Sequence, residues 1–183
     1  MMRFALRRHP DSVCLAVTSI EVDVARGVAG DLELSYRVTG RIADLRLPPV
    51  AEPARTDALW RHTCFEAFVR TSADAAYYEF NLAPSTQWAA YQFDGYRSGM
   101  RVASGIGVPR IEVQSSPEQY TLQAALALDG LRGLPRDAAA WRLGLAAVIE
   151  EANGRTSYWA LAHPPGKADF HHADCFALEL SAA

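Results

Sequence analysis

The sequence has few of the features that mark the best-known functional classes. It contains three cysteines, Cys14, Cys64 and Cys175, and no pair in the CxxC spacing of zinc sites. A formal net charge of -3 gives no basic surface for nucleic acid. The Walker loop, the G-x-S-x-G turn and the Rossmann glycine pattern are also missing. The common nucleotide-binding and serine-hydrolase classes are therefore excluded.

Long apolar runs are missing as well. No stretch approaches the roughly 20 apolar residues that a membrane helix needs. The N-terminal segment MMRFALRRHPDSVCLAV lacks the apolar run of a signal peptide. Because an odd number of cysteines leaves one unpaired, reduced thiols are the simpler interpretation. We expect a soluble cytoplasmic protein with neither a membrane nor a nucleic acid as its partner.

What the sequence does contain is typical of a folded domain. Half of its 183 residues are hydrophobic and 21% are charged. This length is enough to bury a sizeable core. No repeat, linker or low-complexity segment divides the chain, so we predict a single domain spanning residues 1–183.

Alternation of apolar and polar residues predicts mostly β-strands. It is clearest in the segments DLELSYRV, TCFEAFV, YYEFNL, RIEVQ, YTLQAALAL, SYWALAH and CFALEL. Clusters of glycine, proline, asparagine and aspartate separate them. In PRDAAAWRLGLAAVIEE we predict a helical turn at residues 137–139 and then a strand. The pattern indicates an all-β protein, a jelly-roll-like antiparallel β-sandwich of about 9–11 strands with little helix.

One predicted hairpin, residues 63–82, carries an unusual polar face. Its apolar faces must coincide, because a one-residue slip would bury the wrong side chains. The opposite faces then coincide too, and Cys64 and Glu66 come to lie beside Glu79 and Asn81. Acids and amides beside aromatic rings suit a polar ligand.

Two other interpretations of this face remain open. It could be a solvated outer surface, or Glu66 or Glu79 could pair with Arg61 or Arg97 inside the sandwich. The large amphipathic residues that crowd this third of the chain favour a binding site; they include Trp60, His62, Trp88, Tyr91, Tyr96 and Arg97. Cys64 is also a candidate nucleophile, although a strand cysteine is more often buried and inert.

A second cluster lies in YWALAHPPGKADFHHADCF, near the C-terminus. It contains His163, Phe170 and His171 among other ring-bearing residues. A metal site would need three or four converging ligands. His163, His171, Asp174 and Cys175 would supply them only if the segment folds back on itself.

Three segments together resemble bacterial DOMON-like domain proteins. They are LWRHTCFEAFV, YYEFNLAPSTQWAAYQFDGYRSGM and YWALAHPPGKADFHHADCFALEL. These proteins are relatives of family 9 carbohydrate-binding modules and of the haem- or sugar-binding DOMON domains. The resemblance implies an antiparallel β-sandwich over nearly the whole chain.

The resemblance also implies a site. In family 9 modules a tryptophan precedes a site glutamate by six residues, as Trp60 precedes Glu66 here with Cys64 between them. A second tryptophan precedes a residue of the final strand by six residues, where this chain has Phe170 ahead of Phe176. The two rings of the family hold a terminal sugar between them, so Trp60 and Phe170 are the expected clamp.

This chain departs from that pattern in two places. Phe170 replaces the second tryptophan, and Glu79 falls near a basic residue of the family. In haem-binding DOMON domains a methionine and a histidine ligate the iron. Met100 with His163 or His171 would be the corresponding pair for haem b.

The leading prediction is a non-catalytic module that binds a sugar or related polyol and needs no cofactor. The predicted ligand-binding residues are Trp60, Cys64, Glu66, Glu79, Asn81, Trp88, Arg97, His163, Phe170 and His171. The alternatives are a haem or redox domain, a small-substrate enzyme with Glu66 and Glu79 as an acid–base pair, and an interaction module without a small ligand.

Overall fold

The computed structural model describes residues 1–27, 30–71, 75–134 and 140–181. Twelve strands run through these residues: β1 Met2–Arg8, β2 Val17–Arg26, β3 Asp31–Gly40, β4 Cys64–Thr71, β5 Tyr77–Leu82, β6 Trp88–Phe93, β7 Arg101–Val102, β8 Arg110–Ser115, β9 Gln119–Ala127, β10 Ala140–Glu150, β11 Thr156–Ala160 and β12 Leu178–Ser181. Three single-turn 3₁₀ helices also occur, at Ile42–Asp44, Leu59–Arg61 and Ala173–Cys175.

The strands form two sheets with antiparallel ladders. The first sheet has the order β1-β2-β3-β9-β8, and the second has the order β7-β6-β5-β4-β10-β11, with β12 also beside β10. The end of β1 pairs with β11 and links the two sheets. The predicted antiparallel β-sandwich is confirmed, with one strand more than the expected 9–11. The helical turn predicted at residues 137–139 lies outside the described residues.

The main core lies between the two sheets and follows from the period-two pattern. Alternate residues of β2, β3 and β9 pack against alternate residues of β4, β5 and β10. A hydrogen bond crosses this core, because the Tyr36 hydroxyl donates to the carbonyl oxygen of Glu66 at 2.8 Å. The backbone beneath Glu66 is therefore held by the opposite sheet.

The second sheet is unusual because it is buried on both faces. All six residues of β5 are buried. Two segments, residues 94–100 and 161–176, lie over its outer face, and we refer to them together as the loop layer. A second apolar cluster joins this layer to the sheet. The sheet contributes Phe68, Tyr77 and Phe93, and the loop layer contributes Phe170 and Phe176. The sandwich thus has a third, irregular layer on one side.

Gly144 in β10 allows the loop layer to pack closely on the sheet. It lies opposite Phe68 on the outer face. A Cβ atom at Gly144 would lie 3.0 Å from the carbonyl oxygen of Cys175. The absence of a side chain at this point lets the turn at Ala173–Cys175 rest on the strand.

Two further features concern membranes and thiols. No helix among the described residues is long and apolar enough to cross a membrane. Cys14, Cys64 and Cys175 are all buried as free thiols.

Candidate functional site

A pocket of about 360 Å³ opens on the outer face of the second sheet, beneath the loop layer. Its volume lies within the range of small-molecule sites. Six of the ten residues predicted from the sequence line it: Trp60, Glu66, Glu79, Arg97, Phe170 and His171. The polar hairpin face is therefore the floor of a cavity and not a solvated surface.

The two glutamates reach the floor through the register of the β4–β5 hairpin. Glu66 pairs with Asn81, and Phe68 pairs with Glu79. Glu66 and Glu79 are therefore diagonal neighbours on one face, at a separation that still permits interaction. The predicted hairpin and its register are confirmed.

Cys64 and Asn81 lie in this hairpin but do not line the pocket. The Asn81 amide donates to Oε1 of Glu79 at 2.7 Å. The Cys64 thiol lies 3.6 Å from Oδ1 of Asn81 and donates to it. Burial raises the pKa of the Cys64 thiol well above its ordinary value, so this thiol is protonated and a poor nucleophile. Asn81 therefore orients the Glu79 carboxylate, and Cys64 in turn hydrogen-bonds Asn81.

The Glu66 carboxyl is the least satisfied polar group of the floor. Its residue is 3% exposed, yet among the described residues its carboxyl oxygens have no hydrogen-bond or ion-pair partner. Burial raises the pKa of Glu66 well above its ordinary value, and the neighbouring Glu79 raises it further. The Glu66 carboxyl lines the pocket, so it is available to hydrogen-bond a molecule that enters.

Glu79 is the better placed of the two to carry a negative charge. Burial raises its pKa too, but the Asn81 hydrogen bond and the charge of Arg97 oppose that rise. Two neighbouring carboxylates also repel one another. Of the two, Glu66 therefore has the stronger tendency to hold a proton, and Glu79 has the stronger tendency to carry the negative charge.

His171 forms the wall above Glu79. Its Nδ1 lies 2.8 Å from the Tyr77 hydroxyl, and that hydroxyl accepts a hydrogen bond from the backbone N–H of Arg97. Its Nε2 lies 3.7 Å from Oε2 of Glu79. Burial lowers the pKa of His171 to about 4. The imidazole is therefore neutral at physiological pH and directs an N–H at Glu79.

Arg97 lines the pocket but does not pair with either glutamate. Its guanidinium lies 2.7 Å from Oδ1 of Asp169, whose other oxygen accepts a hydrogen bond from Tyr96. The predicted alternative of a glutamate paired with Arg97 or Arg61 is therefore wrong. Arg97 is occupied by an acid of the loop layer and acts on the floor only at longer range.

Two aromatic rings stand at the pocket walls, as the sequence predicted. Trp60 is 37% exposed and meets Tyr91 edge to face, with ring centroids 5.8 Å apart. Phe170 is buried and meets Tyr158 at 6.1 Å. Both rings line the cavity and leave apolar surface available to a ligand.

Two predicted site residues lie elsewhere. Trp88 is buried in the inter-sheet core, because it pairs with Leu82, whose side chain also faces that core. The Arg55 guanidinium lies 4.3 Å from the Trp88 ring centroid. His163 bonds the carbonyl oxygen of Arg7 at 2.8 Å, outside the pocket. Neither side chain reaches the pocket, because a ring-rich segment does not reveal which face each ring occupies.

Of the predicted haem ligands, Met100 and His171 both line the pocket, whereas His163 lies outside it. The four-residue metal set is not assembled, since the Cys175 thiol donates to the carbonyl oxygens of Ala162 and Asp169. Within the described ranges, no group of three or more His, Cys, Asp or Glu side chains is placed to hold a metal ion.

Sequence reasoning missed other residues of the lining, among them Phe93, Val148 and Tyr158. Tyr158 pairs with Val148, and Val148 pairs with Cys64. The alternation within each strand was visible in the sequence. The pairing of β4 with β10 could not be read from the sequence, and this pairing places Val148 and Tyr158 on the pocket face.

Comparison with known proteins adds to this geometry. No family model and no curated protein matches the sequence. A crystal structure of a candidate carbohydrate-binding protein from Bacteroides uniformis superposes with a TM-score of 0.67 at 15% identity, covering 98% of this chain and 85% of that one. A family 9 carbohydrate-binding module from Caldicellulosiruptor kristjanssonii, in complex with glucose, superposes with a TM-score of 0.51 at 11% identity. The match covers 96% of this chain and 83% of that one.

The chain has a CBM9-like fold. This confirms the family 9 part of the predicted resemblance at the level of architecture. The likeness to DOMON domains stays a prediction. At these identities the comparisons establish fold alone, and the ligand must be argued from the pocket.

Proposed function

We propose that this protein is a non-catalytic carbohydrate-binding module whose pocket holds one sugar ring or a related polyol. The observation that carries the proposal is the cavity bounded by Trp60 and Phe170 above Glu66 and Glu79. Flat apolar rings pack against the C–H faces of a pyranose, while carboxyl groups satisfy its hydroxyls.

The protonation pattern of the floor suits hydroxyl groups. A hydroxyl can both donate and accept, and the floor offers both functions. Glu79, held by the Asn81 amide, is the better acceptor, while the raised pKa of Glu66 favours its protonated form, which can donate. Among the described residues no side chain occupies the Glu66 carboxyl, so it is free to hydrogen-bond a sugar hydroxyl.

The two structural neighbours support the same ligand class, because one is described as a candidate carbohydrate-binding protein and the other holds glucose. A single sugar ring makes few contacts, so we expect weak affinity. A dissociation constant near 1 mM corresponds to about -4 kcal/mol.

Titration calorimetry with neutral and amino monosaccharides, together with tryptophan fluorescence, tests the proposal. Trp60→Ala should weaken binding by about tenfold or more, since it removes a wall of the site. Trp88→Phe is the matched control, because Trp88 lies in the core and keeps a ring there. It should change the fluorescence and leave the affinity intact.

Two results would contradict the proposal. The absence of heat or fluorescence change with every sugar at millimolar concentration would reject carbohydrate binding. Hydrolysis of an aryl glycoside that is lost in Glu79→Gln, with the fold retained, would reject the non-catalytic part and favour the acid–base alternative.

A further inference from the structure

The pocket floor contains more carboxyl groups than a neutral sugar requires. Glu66 and Glu79 are 3% and 5% exposed and lie on the same face of one hairpin. Burying two adjacent acids costs desolvation and mutual repulsion. A single carboxylate with an amide partner, as at Glu79 and Asn81, would already accept sugar hydroxyls.

Within the part of the chain that the structure describes, no positively charged side chain contacts this pair. From the loop layer, Arg97 faces the floor but its ion pair is with Asp169. His171 lies nearest to Glu79, yet its imidazole is neutral at physiological pH. From the two sheets, the neighbouring titratable groups are the Cys64 thiol and the hydroxyls of Tyr36, Tyr77 and Tyr91, none of which is a cation. Among the described side chains, none provides positive charge within ion-pair distance of Glu66.

We propose that the pocket selects sugars bearing a protonated amino group, whose ammonium lies between the Glu66 and Glu79 carboxyls while the ring packs between Trp60 and Phe170. This inference rests on the proposed function and names its ligand class. The walls agree with it, since aromatic faces attract a cation placed beside them. The acidic floor would in turn disfavour sugar phosphates and uronic acids.

The proton balance follows from the state of the free site. Without ligand, burial and the neighbouring Glu79 raise the pKa of Glu66 and favour its protonated form. When an ammonium arrives, Glu66 releases that proton to the buffer, and the ammonium donates N–H hydrogen bonds to both carboxylates. Each binding event therefore releases up to one proton. N-acetylation of the sugar removes the positive charge, so an N-acetylated sugar should bind without this release.

Titration calorimetry at pH 6.5 in two buffers of different ionisation enthalpy tests the inference. The probes are 2-amino-2-deoxy sugars of the gluco, galacto and manno configurations, the matching neutral sugars and their N-acetyl derivatives. We expect at least one amino sugar to bind about tenfold tighter than its neutral and N-acetylated counterparts. Its apparent enthalpy should change with the buffer, and that of the neutral sugar should not.

Glu66→Gln gives the decisive comparison, because it preserves shape and removes the ionisable group. It should reduce the affinity for amino sugars to that for the matching neutral sugars and abolish the proton release. Glu118→Gln, an exposed change in the turn between β8 and β9, should preserve both effects. Circular dichroism verifies that each variant is folded.

The outcomes separate the two proposals. Equal affinity for amino and neutral sugars, or a preference that survives in Glu66→Gln, would overturn this inference and leave the proposed function standing. A lack of binding by all of the sugars would overturn both.

Discussion

The Arg97 guanidinium lies 2.7 Å from the Asp169 carboxylate and joins the two segments of the loop layer. Asp169 also accepts hydrogen bonds from the Tyr96 hydroxyl and from the backbone N–H of His171. One carboxylate thus holds both Arg97, which lines the pocket, and the backbone that presents His171. These hydrogen bonds fix the walls relative to the floor.

Removing this link should affect binding more than stability. Arg97 is half exposed, and surface ion pairs contribute about 0–1 kcal/mol. We expect Arg97→Ala to lower the unfolding free energy by less than about 1 kcal/mol and to weaken sugar binding several-fold, because the walls lose their fixed position. Urea denaturation and calorimetry measure the two effects.

Arg110→Ala is the control for this prediction. Arg110 pairs with Glu112 on the edge strand of the other sheet, and both are well exposed. The variant should leave affinity unchanged. If Arg97→Ala destabilised the protein strongly and bound sugar normally, the link would be part of the core and not of the site.

Glu66→Gln should stabilise the protein as the pH rises. Burial and Glu79 raise the pKa of Glu66 in the folded state, so the folded protein keeps a proton that the unfolded chain loses above about pH 4.5. The unfolding free energy of the wild type therefore falls with increasing pH in this range. Glutamine does not ionise. The unfolding free energy of the variant should therefore rise relative to that of the wild type between pH 5 and pH 8.

Urea midpoints measured at several pH values test this expectation. The gain should shrink toward pH 4, where glutamate is protonated in both states. A difference between variant and wild type that is independent of pH would show that Glu66 does not hold its proton.

His171 should produce the opposite dependence at lower pH. Burial lowers its pKa to about 4 from an ordinary value of 6.5. Between these values the unfolded chain binds a proton that the folded protein does not, so the unfolding free energy falls as the pH drops. The full loss is about 3 kcal/mol.

His171→Gln should remove this part of the acid sensitivity, and His172→Gln serves as the control because the neighbouring His172 side chain is 42% exposed. The measurement is the slope of unfolding free energy between pH 4 and pH 6.5. An unchanged slope in His171→Gln would assign the acid sensitivity to other groups.

Gly144 should tolerate no large side chain. A Cβ atom there already meets the Cys175 carbonyl oxygen at 3.0 Å. We expect Gly144→Val to cost about 1–3 kcal/mol and to weaken binding by lifting the turn that follows Phe170 and His171. Gly107→Ala is the control, since a Cβ atom at Gly107 has nothing within 4 Å. Equal stability of the two variants would contradict this account.

The sequence predicted the fold well because the signal was local. Alternation and turn clusters fix which residues of β3, β4, β5 and β9 face the core, and the hairpin register follows from matching apolar faces. The pairing of β4 with β10 joins residues that lie far apart in the chain. No local pattern encodes such a pairing, so the number of strands was only approximate and their order in the sheets could not be predicted.

The candidate site was predicted in part for the same reason. The β4–β5 hairpin brought Glu66 and Glu79 together from register alone, and the family spacing added Trp60 and Phe170. Trp88 was misplaced, because the turn after β5 determines which face the next strand begins on. The loop layer determines where His163 and His171 lie, and irregular segments carry no periodicity from which to predict this.

Strand β5 lies between the inter-sheet core and the loop layer, and we expect these two parts to differ in how readily they unfold locally. On its inner side the sheets close on a continuous apolar core, while on its outer side the loop layer is irregular. Segments with little regular hydrogen bonding exchange their amide protons through small local openings, and central strands exchange only on global unfolding. We therefore expect the pocket to lie at the boundary between a part of the molecule whose amide protons exchange fast and a part whose amide protons exchange slowly. A bound ligand should slow amide exchange in the loop layer and leave amide exchange in the sandwich unchanged.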